Sequence, residues 1–229
     1  MSHLPAAAVV LIHRQLGHIT ASQLISCGVS ERQRKSLERS LTIERVGRSV
    51  YRVPGMPKSL ESRAVEVSLQ HPGGFVTGPS AGLLLGLRKM PSAVRIDLCV
   101  PHGAKVEAPN HVRVRQSRLI VPEHIRQLEN GIRIATFDRL AFDLATDLDP
   151  ISLSSVVEQM LHRSEVTTDE LFEIAALMWS PRRPGAAVFS KMLLRRHGGG
   201  ATESHPELRV LDRKSTRLNS SHITISYAV

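Results

Sequence analysis

The sequence contains few cysteines, few aromatic residues and no long apolar run. Its two cysteines, Cys27 and Cys99, are far apart, whereas a disulfide framework or a zinc site needs more cysteines at closer spacing. No apolar stretch approaches the roughly 20 residues that a membrane-spanning helix needs, and the first residues lack the basic cluster of a signal peptide. We therefore expect a cytoplasmic protein with buried thiols, no membrane contact and a mainly aliphatic core.

Positive charge is what the chain has in excess, with 30 lysines and arginines against 21 acids and a pI near 10.4. A basic chain favours a polyanionic partner, although net charge argues for association and not for a fold. Residues 213–229, RKSTRLNSSHITISYAV, contain three of the cations and no acid. This stretch resembles a translated sequencing adapter, and we expect it to be non-native; a native terminal strand is the alternative.

The order of elements in residues 1–55 is that of a winged helix-turn-helix DNA-binding domain. The stretch AAAVVLIHRQLG spaces its apolar residues as a helix does and ends at Gly17. Two further helices are predicted after it, one capped by Thr20 and one by Ser30, with Gly28 in the turn between them.

A β-hairpin is predicted directly after the third helix, because two short β-like runs, 43–46 and 50–53, flank the residues Gly-Arg-Ser. A helix-turn-helix followed by such a hairpin is a winged helix. Within this module we expect Leu24, Ile25 and Leu37 to face the core.

The third helix, SERQRKSLERS, is the candidate recognition helix. From residue 31 to residue 52 the chain has seven cations and three acids. A recognition helix presents its N-terminal residues to base edges in the major groove, where arginine and glutamine can bond bidentately to guanine and adenine. We expect the following residues to bind double-stranded DNA, with the last at the hairpin tip: Ser30, Arg32, Gln33, Lys35, Ser36, Arg39 and Arg48. The alternative is a solvated helix in a small trihelical domain.

The stretch HITASQLISCGVSERQRKSLERS…ERVGRSVYRVPG resembles the N-terminal winged helix of AbiEi-type antitoxins, predicted regulators of abortive-infection toxin–antitoxin systems. The likeness rests on the pattern hxTxxQL, a G(V/L)S turn, a basic helix and RhxxGVYxh. The chain departs from it at Ser49, where glycine is expected, and at Arg34, where an aliphatic residue is frequent. The resemblance extends over residues 8–212 and implies an autorepressing antitoxin with promoter DNA and a cognate toxin as partners.

Residues 57–195 are predicted to form a second domain of mixed α+β type. A helix is expected over 60–71, strands over 93–101 and 111–120, and an Asn-Gly turn at 130–131. From residue 136 onward the pattern is helical, with Ser152 and Thr167 among the candidate caps. Strands followed by a block of helices indicate an α+β fold rather than a regular βαβ array.

Gly78-Pro79-Ser80-Ala81-Gly82 has the G-x-S-x-G pattern of a hydrolase nucleophile elbow. Only one clear strand leads to Ser80, and the glycine-rich HGGG run at 197–200 follows the serine instead of preceding it. We therefore expect Ser80 or Thr77 to cap the helix that follows and predict no catalytic residue.

Four aspartates, at 138, 143, 147 and 149, could suggest a metal site. They are better explained as helix caps and solvated side chains, because no histidine is near them at ligand spacing. We predict no metal site and no cofactor.

Residues 196–212 read as a glycine linker followed by the start of a helix. In longer AbiEi-like relatives this point opens a domain resembling very-short-patch repair endonucleases. The residues that match are Ala201, Thr202, Ser204 and Glu207. Since the acids and lysine of such a nuclease would lie downstream, we expect the present chain not to be an enzyme.

Three functions remain open from the sequence. The leading hypothesis is a DNA-binding transcriptional regulator, an autorepressing antitoxin. The alternatives are the truncated front of a DNA-targeted nuclease-like protein and a toxin-binding interaction module with little DNA affinity. The sequence does not reveal the oligomeric state.

Overall fold

The computed structural model describes residues 4–92 and 95–197. The predicted nuclease-like start after residue 197 and the tail at 213–229 lie outside the described residues. Within the described ranges the chain forms nine α-helices and two β-sheets, which confirms the α+β prediction. The described residues divide into one compact unit made of residues 4–84, 92 and 95–135, and a second made of residues 85–91 and 136–197. The predicted domain boundary at residues 55–57 stays a prediction.

The first part of the chain is a helix-turn-helix followed by a hairpin. Its elements in chain order are α1 (Ala6–Arg14), β1 (His18–Thr20), α2 (Ala21–Ser26), α3 (Glu31–Arg39), β2 (Glu44–Arg45) and β3 (Val50–Arg52). The three strands form an antiparallel sheet in the order β1-β3-β2. Strand β1 was not predicted, because three residues are too few to show an alternating pattern.

Both helices of the helix-turn-helix begin with a reciprocal capping box. The hydroxyl of Thr20 accepts a hydrogen bond from the Gln23 backbone amide, and Ser30 does the same for Gln33. In each case the glutamine side-chain oxygen accepts a hydrogen bond from the backbone amide of the cap residue. Two amides that would otherwise be unpaired are thereby satisfied. Gly28 between the helices has a φ of +84°, a conformation that glycine adopts without steric cost.

A small aliphatic core with one tyrosine holds this module together. Its buried members are Ala8, Ile12, Ile19, Leu24, Val29, Leu37, Ile43 and Tyr51. The predicted inward positions of Leu24 and Leu37 are confirmed, since both are at most 1% exposed. The expectation for Ile25 was wrong: its side chain is 65% exposed, because Leu24 occupies the single inward position of the short α2.

The rest of the first unit is a five-stranded sheet with two helices. The elements are α4 (Leu60–Gln70), β4 (Phe75–Thr77), α5 (Gly78–Leu84), β5 (Ile96–Pro101), β6 (Val112–Ser117), β7 (Ile125–Gln127) and β8 (Arg133–Ala135). The strand order is β6-β5-β4-β8-β7. Pairs β4–β8 and β5–β6 are parallel, and β4–β5 and β7–β8 are antiparallel. The sequence context suggested that the strand leading to Ser80 stands alone. In the structure this strand, β4, is instead the central strand of a mixed sheet.

Helix α4 makes polar contacts with both the winged helix and the strand region of this unit. Gln70 Nε2 donates to the carbonyl oxygen of Val46 in the hairpin at 3.2 Å. Asn130 Nδ2, in the predicted Asn-Gly turn, donates to Glu61 Oε1 at 2.8 Å. A Cβ atom at Gly47 would lie 2.6 Å from Gln70 Nε2, so glycine lets the hairpin approach α4 this closely.

A buried histidine–glutamate contact joins β1 to α4. His18 is 1% exposed, and its Nε2 lies 3.4 Å from Glu66 Oε2. Its Nδ1 lies 3.3 Å from the carbonyl oxygen of Gln15. Burial by itself would raise the pKa of the Glu66 carboxyl, but the hydrogen bond and the charge from His18 outweigh burial and lower that pKa.

The second unit is a block of helices: α6 (Phe137–Leu144), α7 (Pro150–His162), α8 (Thr168–Met178) and α9 (Ala186–His197). The Phe142 and Phe189 rings meet edge to face with centroids 5.3 Å apart. Asp149 caps α7, so the expectation that Ser152 caps this helix was wrong. Thr167 and Glu170 form the predicted capping box of α8.

None of the helices in the described ranges has the combination of length and apolar character that crossing a bilayer requires.

We expect Glu66→Gln to lower the free energy of unfolding by about 1 kcal/mol near neutral pH, because the residue loses its charge beside His18. The folded-state pKa of Glu66 lies below its ordinary value of 4.5. Its contribution is therefore present above about pH 4.5 and is lost as the pH falls through the lowered pKa. Urea denaturation between about pH 3 and pH 7 measures this difference.

The exposed Glu123 provides the control, since Glu123→Gln removes a carboxylate at a solvent-accessible position. A wild-type advantage over Glu66→Gln that is as large at pH 3 as at pH 7 would show that the carboxylate is not responsible.

Candidate nucleic-acid interface

The outer face of α3 carries a stripe of polar residues at i, i+3, i+4 and i+7. These residues are Arg32, Lys35, Ser36 and Arg39, and this spacing places them on one side of a helix. The three cations are exposed and Ser36 is half-buried. The sequence predicted this set to face outward, and its role in DNA binding stays a prediction.

The inner face of α3 contains a cation that packs into the module. Arg34 donates from Nη1 to the hydroxyl of Tyr51, and its guanidinium carbon lies 5.4 Å from the centroid of that ring. Its Nη1 also lies 3.4 Å from Glu38 Oε1. The side chain of Arg34 is only 19% exposed, and burial raises the pKa of Tyr51. Arg34 therefore takes the structural place that an aliphatic residue would otherwise fill.

The exposed cations of α3 differ in their partners. Lys35 Nζ lies 3.1 Å from Glu31 Oε1, and the hydrogen bond from Lys35 lowers the pKa of Glu31. Arg39 donates to the carbonyl oxygen of Lys35 at 3.3 Å. Arg32 has no hydrogen-bond or ion-pair partner among the residues that the structure describes. Of the three, Arg32 is the cation most available to a ligand.

Ser30 and Gln33 are both used in capping α3. Gln33 Oε1 accepts from the Ser30 amide at 2.8 Å and from the Ser30 hydroxyl at 2.9 Å. Bidentate recognition of adenine needs the carboxamide oxygen and nitrogen together. Because the oxygen serves the cap, only the nitrogen of Gln33 is left for a base or a phosphate.

Of the three cations in the hairpin, two form bonds within the hairpin and one does not. Arg45 donates to the carbonyl oxygens of Gly47 and Arg48, which closes the loop. Arg52 pairs with Glu44 on the neighbouring strand, with Nε 2.9 Å from Oε1. The side chain of Arg48 at the tip is exposed and is free of protein contacts within the described residues.

Seven cations in residues 31–52 thus divide by role. Arg34, Arg45 and Arg52 stabilise the module, whereas Arg32, Lys35, Arg39 and Arg48 face solvent. The sequence count could not separate these groups. Only the internal role of Arg52 could be inferred from the predicted hairpin. Glu44 lies opposite Arg52 in its register, and oppositely charged residues at such positions attract.

Ser80 is fully buried at the turn from β4 into α5. Its hydroxyl donates to the carbonyl oxygen of Thr77 at 3.0 Å and accepts from the backbone amide of Asp97 at 2.9 Å. These bonds connect the turn to strand β5. Of the two residues expected to cap α5, Ser80 does not do so, because its bonds go to Thr77 and to strand β5.

The aspartates that raised the question of a metal site have other contacts. Asp149 is the cap of α7, and Asp143 Oδ2 accepts from Arg139 Nε at 3.0 Å. In residues 4–92 and 95–197 there is no group of three histidine, cysteine, aspartate or glutamate side chains placed to hold a metal ion.

We expect Arg34→Ala to lower the free energy of unfolding by about 1–2 kcal/mol, because it removes a cation–π contact and a hydrogen bond to buried Tyr51. Arg32→Ala should change it by less than about 0.5 kcal/mol, as for other exposed positions. Thermal or urea denaturation of the two variants provides the comparison. Equal losses at both positions would mean that Arg34 does not have the packing role that its contacts indicate.

Comparisons with known proteins bear on the fold. No protein-family model matches the chain, and no curated protein matches it. Among solved structures, the fold is similar to that of the RV2827C protein from Mycobacterium tuberculosis. The TM-score is 0.50 at 16% sequence identity, and the alignment covers 91% of this chain and 83% of that chain. At this identity the similarity applies to the fold alone.

Proposed function

We propose that the protein is a DNA-binding transcriptional regulator, an autorepressing antitoxin of a toxin–antitoxin system. The observation that carries this proposal is the exposed stripe of Arg32, Lys35 and Arg39 on a helix whose remaining arginine, Arg34, is turned inward. Three exposed cations on one face supply the positive surface that a recognition helix presents to the major groove. The antitoxin part rests on the resemblance of the winged helix to AbiEi-type proteins.

The contacts expected in the complex follow from each side chain's position on α3. Arg32 lies in the first turn, where recognition helices meet base edges, and its guanidinium is free to bond guanine bidentately. Lys35 and Arg39 lie further along and suit phosphate oxygens. Lys35 would exchange Glu31 for a phosphate. Arg48 on the hairpin tip would contact a flanking phosphate or the minor groove.

We propose no catalytic function for the described part of the chain. The Ser80 hydroxyl is committed to two backbone partners. The alternative of a truncated nuclease-like protein concerns residues outside the described ranges, and no observation favours it.

A second candidate function, binding a partner protein, is favoured by a groove in the helical unit. The groove has a volume of about 510 Å³ between α7 and α9. Ile151, Val188 and Met192 supply apolar lining, and the Ile151 side chain is 83% exposed. Lys191 and Arg195 lie at the same groove. An apolar lining beside cations suits an apolar segment flanked by acids, and the cognate toxin is the proposed occupant.

We expect Arg32→Ala to weaken binding to the chain's own upstream DNA by about 1–3 kcal/mol and to relax sequence preference at one base pair. Arg48→Ala should weaken binding to all sequences equally and reduce the dependence of log K on log salt by about 0.9. Fluorescence anisotropy with specific and scrambled duplexes over a range of salt concentrations measures both effects. Arg182→Ala, in the helical unit and exposed, is the matched control.

Wild-type binding that is absent, or that does not fall with salt, would contradict the regulator proposal, because phosphate contacts release counterions on binding.

For partner binding, we expect Ile151→Asp to abolish co-purification with the toxin encoded next to this gene and to leave DNA affinity unchanged. A charge on the groove lining would need to be desolvated in the complex. Leu177→Asp is the control, because the Leu177 side chain is exposed as well, at 52%, but does not line the groove. Loss of the complex in both variants, or in neither, would exclude this groove as the toxin site.

A further inference from the structure

A second polar groove lies beside the hairpin, within the first unit. Its volume is about 1010 Å³. One wall is the hairpin segment 45–49, the opposite wall is the segment 105–109, and Gln70 and His71 at the end of α4 form the floor. Residues 105–109 belong to the connection between β5 and β6, so two separate parts of the sequence build the groove.

The hairpin wall is held in place from two directions. Arg45 closes the loop by donating to the carbonyl oxygens of Gly47 and Arg48. Gln70 ties its base to α4 through the Val46 carbonyl oxygen at 3.2 Å. The position of Arg48 on this wall is therefore set by the fold before any ligand is present.

The opposite wall is also anchored at both ends. Gln116 on β6 accepts from the Gly103 amide at 3.1 Å and donates to the carbonyl oxygen of Ala104 at 3.4 Å. At the other end, the Val112 amide donates to the carbonyl oxygen of Pro109 at 2.9 Å. Lys105 follows an anchored residue directly, and its side chain is exposed.

The charges place an anion at the rim of the groove and not at its floor. Arg45, Arg48 and Lys105 are the exposed cations of the two walls, and Glu107 is the single acid in the lining. Arg45 is already bonded to the carbonyl oxygens of its own loop, which leaves Arg48 and Lys105 for a ligand. Burial lowers the pKa of His71 and so disfavours a positive charge on its imidazole. The floor also contains the carbonyl end of α4, where the helix dipole is negative.

We propose that this groove binds the sugar–phosphate backbone of one DNA strand, with Arg48 and Lys105 contacting phosphates from opposite walls. This inference rests on the proposed DNA-binding function and extends it. The interface then includes a segment of the sheet region in addition to the winged helix. Backbone contacts of this kind add affinity and orientation and carry no sequence information.

The test is Lys105→Ala in the full chain, compared with Lys58→Ala. Lys58 is also exposed and lies in the same unit, but it does not line the groove. We expect Lys105→Ala to reduce the slope of log K against log salt by about 1, equally for specific and scrambled duplexes. In phosphate-ethylation interference, the variant should lose the interference signal at one phosphate outside the base pairs that Arg32 contacts. Lys58→Ala should match the wild type in both measurements.

The outcomes separate this inference from the function on which it rests. If Arg32→Ala weakens binding while Lys105→Ala behaves like Lys58→Ala, the groove does not hold DNA and the regulator proposal stands. If the wild type shows no salt-dependent binding to DNA, both are overturned. Thermal denaturation of Lys105→Ala checks that the variant is folded, which its exposed position predicts.

Discussion

The contact between Arg34 and Tyr51 decides which face of the third helix is free. Helix α3 has nine residues and only one, Leu37, is buried, so it has little apolar surface with which to hold itself against the module. The stem of Arg34 covers part of the Tyr51 ring, and its guanidinium bonds to the tyrosine hydroxyl. A long cationic side chain can in this way supply packing and a polar end together. Once Arg34 is turned inward, helical geometry turns Arg32, Lys35 and Arg39 outward.

Helix α4 likewise fixes the arrangement of the elements that contact it, here within the whole first unit. It receives the hairpin through Gln70, strand β1 through Glu66 and the turn of the β7–β8 hairpin through Glu61. These are polar contacts at the edges of the helix, whereas its buried positions are small or β-branched residues such as Ala64, Val65 and Val67. Polar contacts are directional and fix orientation more strictly than aliphatic packing does. The two halves of the first unit therefore meet in a defined arrangement.

Local sequence signals predicted the helices and hairpins of this fold well. Capping residues at 20, 30 and 167, the glycine turn at 28 and the strands predicted over 93–101 and 111–120 all rest on signals within a few residues. The structure contains the caps and the turn, and it has strands at Ile96–Pro101 and Val112–Ser117. What failed depends on contacts between distant segments. Strand β1 exists because β3 pairs with it, and the outward position of Ile25 depends on how little of α2 the core can cover.

The candidate site shows the same division between local and distant information. Spacing along one helix was enough to separate Arg32, Lys35 and Arg39 from Leu37. It could not show that Arg45 closes the hairpin. It also could not show that Lys105, in a loop more than fifty residues later, lies across a groove from Arg48. Only the paired strands β5 and β6 bring that loop to the winged helix.

The attachment of the hairpin to α4 has a kinetic consequence. A wing that is tied at its base and closed by its own arginine already has one conformation in the free chain. Docking such a surface requires almost no ordering of loops, so the entropic cost of association is small. In the proposed DNA complex, encounter rates would then depend on diffusion and on long-range attraction between the cations and the duplex. Preference among duplex sequences would be expressed in how long each complex lasts and hardly in how fast it forms.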